Sequence, residues 1–307
     1  MKLLNIRNTL IFILLTASVS CETDADMGNA PPFKQKLIIT GFISPSDTAS
    51  YFDVVSNKKI FGELNTEEPL GPLSGTISDG TATADFIPSG NGLKITCDKM
   101  QIKHGSTYQI KIHSSNGLNA ESICTVPGKN DFTIEADTFS IRTNYNDYNP
   151  NHPDEYYRKT EFRVRFDDVP AEENYYRVFG IVRGYFTYVY QSRISKFISI
   201  RYVPFDKEFL SDNGLDGKNI ILTTNEKYNN YNDLFSGQCD SMVLKIYLYN
   251  TEKSYYLFHK SLADYNDGEN PFAESSPVYS NITGGSGIFT SYTVDSLIIK
   301  FKKTIIR

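Results

Sequence analysis

The sequence predicts an all-β protein: an N-terminal immunoglobulin-like or prealbumin-like antiparallel sandwich, followed by a second antiparallel β domain that carries one α-helix. Three observations lead there. Runs of alternating apolar and polar residues, each about one strand long, recur along the chain and are separated by turn residues. Helical spacing of apolar residues appears in one stretch only, near residues 251–265. No repeat at a fixed period is visible, which argues against a solenoid or a propeller.

At the N-terminus, Lys2 and Arg7 precede the apolar run Leu10 to Leu15, and small residues then lead to Ser18-Val19-Ser20-Cys21. This reads as a secretory signal over residues 1–20 that ends at a lipid-accepting Cys21. The alternative is a plain signal with an incidental cysteine, and Ser18 argues for it, because lipoprotein signals usually carry leucine there. The apolar run is too short to span a bilayer. Residues 21–35, with Gly28, Pro31, Pro32 and little apolar content, read as a tether. Removing the two cations of the signal takes the formal charge from -5 to -7, which is no nucleic-acid footprint.

Residues 36–127 carry the predicted sandwich. Its strands are Leu37 to Ile43, Tyr51 to Val55, Thr81 to Phe86, Leu93 to Cys97, Thr107 to His113 and Asn119 to Val126, with turn signals at Asp79-Gly80 and Ser115-Asn116-Gly117. Cys97 and Cys124 fall in neighbouring strands of this part. They fit either a disulfide in an oxidising envelope or, with Cys239, buried small hydrophobes.

Residues 128–307 carry the second part. Phe132, Ile134 and Ala136 open it, and a polar loop from Asn144 to Glu155 interrupts it. Phe162, Val164 and Phe166 then alternate with charged residues, and Tyr175 to Tyr190 reads as a strand pair kinked near Gly184. Ile194 to Val203 and Asn219 to Thr223 are further strands around a charged turn, Ser211 to Lys218. Met242 to Tyr249 is the clearest strand. After it, Tyr255, Phe258, Leu262 and Tyr265 line one face of a helix with Thr251 as its N-cap. A long loop leads to a closing strand from about Ser291 to Phe301.

Catalytic and metal motifs find little support. His104, His113, His152 and His259 have no zinc spacing, and His259 reads as a core or boundary residue. Gly284-Gly285-Ser286-Gly287 lacks the last glycine of a nucleophile elbow and the lysine of a phosphate loop. Asp212 to Gly217 has the outline of a calcium loop but no glutamate at its twelfth position, so it reads as a solvated turn. No catalytic residue, metal site or cofactor is expected. The aromatic content says more, with 21 Tyr and 20 Phe but no Trp. Tyr145, Tyr148, Tyr156, Tyr157, Tyr228 and Tyr231 lie in Asn-rich polar segments and are candidate binding residues, since tyrosine pairs a large apolar body with a hydroxyl. The alternative is that tyrosines simply fill both faces of strands.

Several segments resemble those of a known family. Asn270-Pro271-Phe272, Tyr279-Ser280-Asn281-Ile282 and Gly287-Ile288-Phe289 resemble the C-terminal signature of the Bacteroidota lipoprotein family called domain of unknown function 4249. Glu173-Asn174-Tyr175-Tyr176-Arg177, and Gly105 to Tyr108 with its strand and Val126-Pro127, extend the likeness over most of the chain after Cys21. The resemblance implies several acyl chains on Cys21, enough for stable anchoring. Glu22, Asp24 and Asp26 look like the acidic export signal of surface lipoproteins of that phylum, or form a plain solvated linker. The resemblance further implies a non-enzymatic, surface-facing outer-membrane lipoprotein that assists nutrient capture or uptake beside a TonB-dependent transporter. The alternative function is a structural or adhesive surface protein.

Overall fold

The computed structural model describes residues 33–58, 69–129, 132–144, 156–190, 193–224, 239–266 and 277–302. Residues 35–307 form one compact unit. The first strands are β1 (Leu37–Ile43), β2 (Ala49–Ser56), β3 (Leu73–Ser78), β4 (Thr83–Asp85), β5 (Ile87–Ser89), β6 (Gly92–Thr96), β7 (Thr107–Ser114) and β8 (Asn119–Thr125). Then follow β9 (Glu135–Asn144), β10 (Tyr156–Asp167), β11 (Tyr175–Tyr190), β12 (Arg193–Ser211), β13 (Asn219–Thr223), β14 (Cys239–Thr251), helix α1 (Lys253–Asn266) and β15 (Ser286–Lys302).

The chain is mostly β, and the strands form three sheets. One has eight strands in the order β12-β11-β14-β15-β1-β2-β6-β5, one is β13-β10-β9, and one is β4-β3-β7-β8. Alternation dictates the faces. In β1, Leu37, Ile39 and Ile43 are buried, and in β7 Tyr108, Ile110 and Ile112 are buried, so the eight-stranded and four-stranded sheets share a first core. In β14, Met242, Leu244, Ile246 and Leu248 meet Phe162, Val164 and Phe166 of β10, and the three-stranded sheet closes a second core.

The first core draws mainly on residues of 37–126 and the second on residues of 132–299, and one continuous sheet runs through both. β15 makes the join. Its later residues pair antiparallel with β14, while its first six pair with β1 in parallel, Ile38 opposite Ser286 through Ile43 opposite Ser291. This parallel pair departs from the purely antiparallel arrangement expected. Ile282 and Phe289, from the C-terminal stretch, lie in the first core. The Gly-rich run has a packing role here. A Cβ on Gly284 would meet the carbonyl of Asn119 at 2.4 Å, and one on Gly287 the carbonyl of Ile39 at 2.1 Å. Both glycines have positive φ.

Other differences are local. β3 went unread because Leu73-Ser74-Gly75-Thr76-Ile77-Ser78 buries only Ile77 fully. Tyr175 to Tyr190 is a single strand and not a strand pair. Its pairing shifts register between Arg177 and Phe179 against β12, and, next to Gly184, between Tyr185 and Phe186 against β14. Thr251 ends β14 with its hydroxyl on the Tyr175 carbonyl, 3.2 Å away, and is not the helix cap. The cap is Glu252, whose carbonyl accepts the Tyr255 N–H at 3.0 Å. On the helix Tyr255 is buried, Phe258 and Leu262 are half-buried, and Tyr265 is exposed. Cys97 is exposed and Cys124 buried, each a free thiol, because they end on different sheets. Burial pushes the Cys124 thiol well up.

Gly287→Ala combines a strained φ with a clash against backbone, so it is expected to lower the unfolding free energy by about 2 kcal/mol or more. Gly117 has φ +85 but open space around it, so Gly117→Ala should cost about 1 kcal/mol. Urea denaturation of the two variants checks the difference.

Candidate functional site

The face of the eight-stranded sheet turned away from the cores holds most of the unusual side chains. Because Tyr176, Val178 and Val182 point inward on β11, Arg177, Phe179 and Ile181 point outward. On β14 the same rule sends Lys245, Tyr247 and Tyr249 outward. Their rings form a ladder across the strands. Phe179 stacks on Tyr247 at 5.1 Å and on Tyr202 of β12 at 5.6 Å, and Tyr249 stacks on Tyr292 of β15 at 4.6 Å. Burial raises the phenol pKa of Tyr202, Tyr249 and Tyr292, so at neutral pH the ladder is an uncharged, stacking surface with hydroxyls.

Helix α1 covers one end of this face. Arg177 Nε lies 2.8 Å from Glu208 Oε1, and its Nη1 donates to the Tyr255 hydroxyl at 2.8 Å. The guanidinium also sits 4.9 Å above Phe179 and 5.1 Å from the Phe209 ring centre. Burial disfavours the arginine charge, but Tyr255 and Glu208 outweigh it and raise the pKa. His259 stacks on Phe209 at 5.1 Å and on Phe42 at 6.1 Å, with its Nε2 buried and without a hydrogen-bond partner. Burial, and then the charge of Arg177, lower its pKa to about 4. This is the boundary histidine that the sequence suggested.

The family-like motifs are packing and hydrogen-bonding devices. In Glu173 to Arg177, Glu173 pairs with Lys253 at 2.8 Å, the Asn174 N–H donates to Asp212 at 2.9 Å, and the Tyr175 ring lies 5.1 Å from Tyr256. The buried Tyr176 hydroxyl donates to Asp168 at 2.6 Å. The Asp212 to Gly217 turn has its carboxylates taken by backbone, since Asp216 accepts the Ala171 N–H at 2.7 Å. In the C-terminal signature, Asn281 donates to the Phe289 carbonyl at 2.7 Å and accepts its N–H at 3.0 Å. Glu252 ties three elements together. Its carboxylate accepts the Thr125 N–H at 3.1 Å and lies 2.8 Å from Ser254 Oγ and 3.0 Å from Thr290 Oγ1, and burial raises its pKa.

Of the residues singled out in the sequence, Cys21, Tyr145, Tyr148, Tyr228 and Tyr231 lie outside the described residues, as do His152 and Asn270-Pro271-Phe272. Tyr156 and Tyr157 open β10, paired with Asn144 and Thr143, and their side chains are also outside the described set. β10, β12 and β14 end, and β11 and β13 begin, around Asp168, Asn174 and Asp212. The last residue of β9, the first of β10 and the start of β14 therefore lie toward the opposite end. The aromatic ladder was missed. Its signal was present in the alternation of Val243 to Tyr249, whose non-core positions are Val243, Lys245, Tyr247 and Tyr249.

A neutral, half-buried His259 contributes stability that is fully present above its unfolded pKa of about 6.5 and is lost as pH falls toward 4. Between pH 7.5 and 5 the wild type should lose about 2 kcal/mol relative to His259→Phe, which keeps the stacking and removes the titration. Urea melts of both proteins at the two pH values measure it.

Among curated proteins none matches this sequence. The family described as "Domain of unknown function (DUF4249)" matches residues 21–298, nearly the whole of the chain that the two cores and the shared sheet occupy. The chain belongs to the DUF4249 family.

Proposed function

We propose that the protein is a lipid-anchored, surface-facing outer-membrane protein that assists nutrient capture or uptake beside a TonB-dependent transporter and works by binding, without catalysing a reaction. The observation that carries this reading is the export signal that ends at Cys21, the residue at which the family match begins. Two features agree with a binding role. The topology carries the strand ends that flank the tyrosine-rich segments toward one end of the second core. The outer sheet face offers a neutral aromatic ladder bordered by cations. Within the same reading, the first core and its two sheets are an immunoglobulin-like or prealbumin-like sandwich whose last strand is supplied from the C-terminus.

Cys21→Ser is expected to move the protein from the outer-membrane fraction to the soluble fraction after a high-salt wash, while wild type stays membrane-bound. Affinity isolation of wild type from detergent-solubilised outer membrane should return a TonB-dependent transporter. Retention of Cys21→Ser on washed membranes would remove the anchor, and repeated isolation without a transporter would remove the uptake role.

A further inference from the structure

Beyond the aromatic ladder the outer face of the eight-stranded sheet changes character. Ile194, Ile198 and Ile200 of β12 are 68%, 58% and 62% exposed, and Ile298 of β15 is 53% exposed. The register puts them on one face: Ile194, Ile198 and Ile200 follow one another along β12, with Tyr185 beside Ile198 and Arg183 beside Ile200, while Ile298 lies across β11 and β14, beside Lys245, which is itself beside Ile181. Single exposed isoleucines are ordinary, whereas a group on one flat face of adjoining strands marks an interaction surface.

The charges on this face have one sign. Lys196, Arg183, Lys245 and Lys300 take outward positions, and the Lys245 ammonium lies 4.5 Å from the Tyr247 ring centre. No Asp or Glu occupies an outward position of 181–187, 194–202, 241–247 or 296–300. Glu208, toward the helix, is ion-paired with Arg177 at 2.8 Å. This cationic face belongs to a chain of net charge -5.

The charge pattern selects the occupant. Two copies of the face brought together would oppose cation to cation, which disfavours self-pairing. The complement is an anionic surface, and a bilayer interface also accepts branched aliphatic side chains on a flat face. Isoleucines enter the acyl boundary, lysine and arginine reach phosphate oxygens, and tyrosines such as Tyr185 and Tyr202 sit at headgroup depth. A sheet face suits this because the backbone groups of β11 and β14, in its middle, are already paired on both sides within the ladders. We propose that the outer face of β11, β12, β14 and β15 is a membrane-docking surface that lies on a bilayer bearing anionic headgroups. This contact goes beyond the lipid anchor and does not need it.

The test uses residues 22–307, which hold the whole compact unit and lack the lipidated cysteine. Co-sedimentation is measured with phosphatidylcholine vesicles and with vesicles in which part of the lipid is phosphatidylglycerol. Partitioning onto the anionic vesicles is expected to exceed that onto neutral ones at least tenfold and to weaken with salt. Both Ile198→Ser/Ile200→Ser and Arg183→Glu/Lys196→Glu should reduce it about tenfold or more with unchanged thermal melting, because all four side chains are exposed. Absence of vesicle binding, or binding untouched by both variants, overturns the proposal. Self-association removed by Ile198→Ser/Ile200→Ser, without vesicle binding, overturns it too and assigns the face to a second copy. Failure here leaves the reading of Cys21 intact, because the lipid-free protein is what is tested.

Discussion

The pairing of the last strand with the first is the constraint on which the rest of the structure depends. β15 lies between β14 and β1, so the backbone groups of both edges are satisfied only when the two halves of the chain form one sheet. The same stretch sends Ile282 and Phe289 into the first core, where burial of each contributes about 1.5–3 kcal/mol. The first core therefore lacks a strand and two of its side chains until the C-terminal residues arrive. Glu252 reinforces the join by placing one carboxylate against the end of β8, the start of α1 and β15. Its raised pKa reflects the desolvation that comes with this placement.

Among the described residues, the motifs that resemble those of the DUF4249 family serve assembly. Asn281 imitates a strand neighbour by exchanging two hydrogen bonds with the backbone of Phe289. Tyr176 and Asp168 close the turn from which β11 departs, and Arg177 fixes α1 onto the sheet through Tyr255. Each of these side chains has a hydrogen bond to a protein partner. Family likeness at these positions accordingly transfers architecture more readily than chemistry.

Much of this architecture was legible in the sequence, and the reasons are physical. Leu37 to Ile43, Asn219 to Thr223 and Met242 to Tyr249 bury alternate residues on one face only, so their period of two survives in the sequence. β3 does not, because glycine and serine fill its positions where another strand approaches closely. The parallel union of β1 and β15 was hidden because pairing partners far apart in sequence leave no local pattern. The outer face was hidden for a different reason. Rings and cations at the non-core positions of β11, β14 and β15 become a surface only when the register lays the strands side by side, whereas the search for tyrosines favoured polar loops.

The orientation of β1 also has a mechanical meaning. A pull transmitted through the chain ahead of Leu37 enters the sheet at the N-terminal end of β1, which lies alongside the beginning of β15. The far ends of β11, β12 and β14 point the other way. Tension between those two poles runs along the strand axes and loads the hydrogen bonds of β1 with β2 and with β15 together, in shear. A strand held on both sides and loaded in this direction must break its bonds collectively, whereas a peeled strand gives way one bond at a time. The fold is thus arranged to carry load between the start of β1 and the opposite end of the sheet without unzipping.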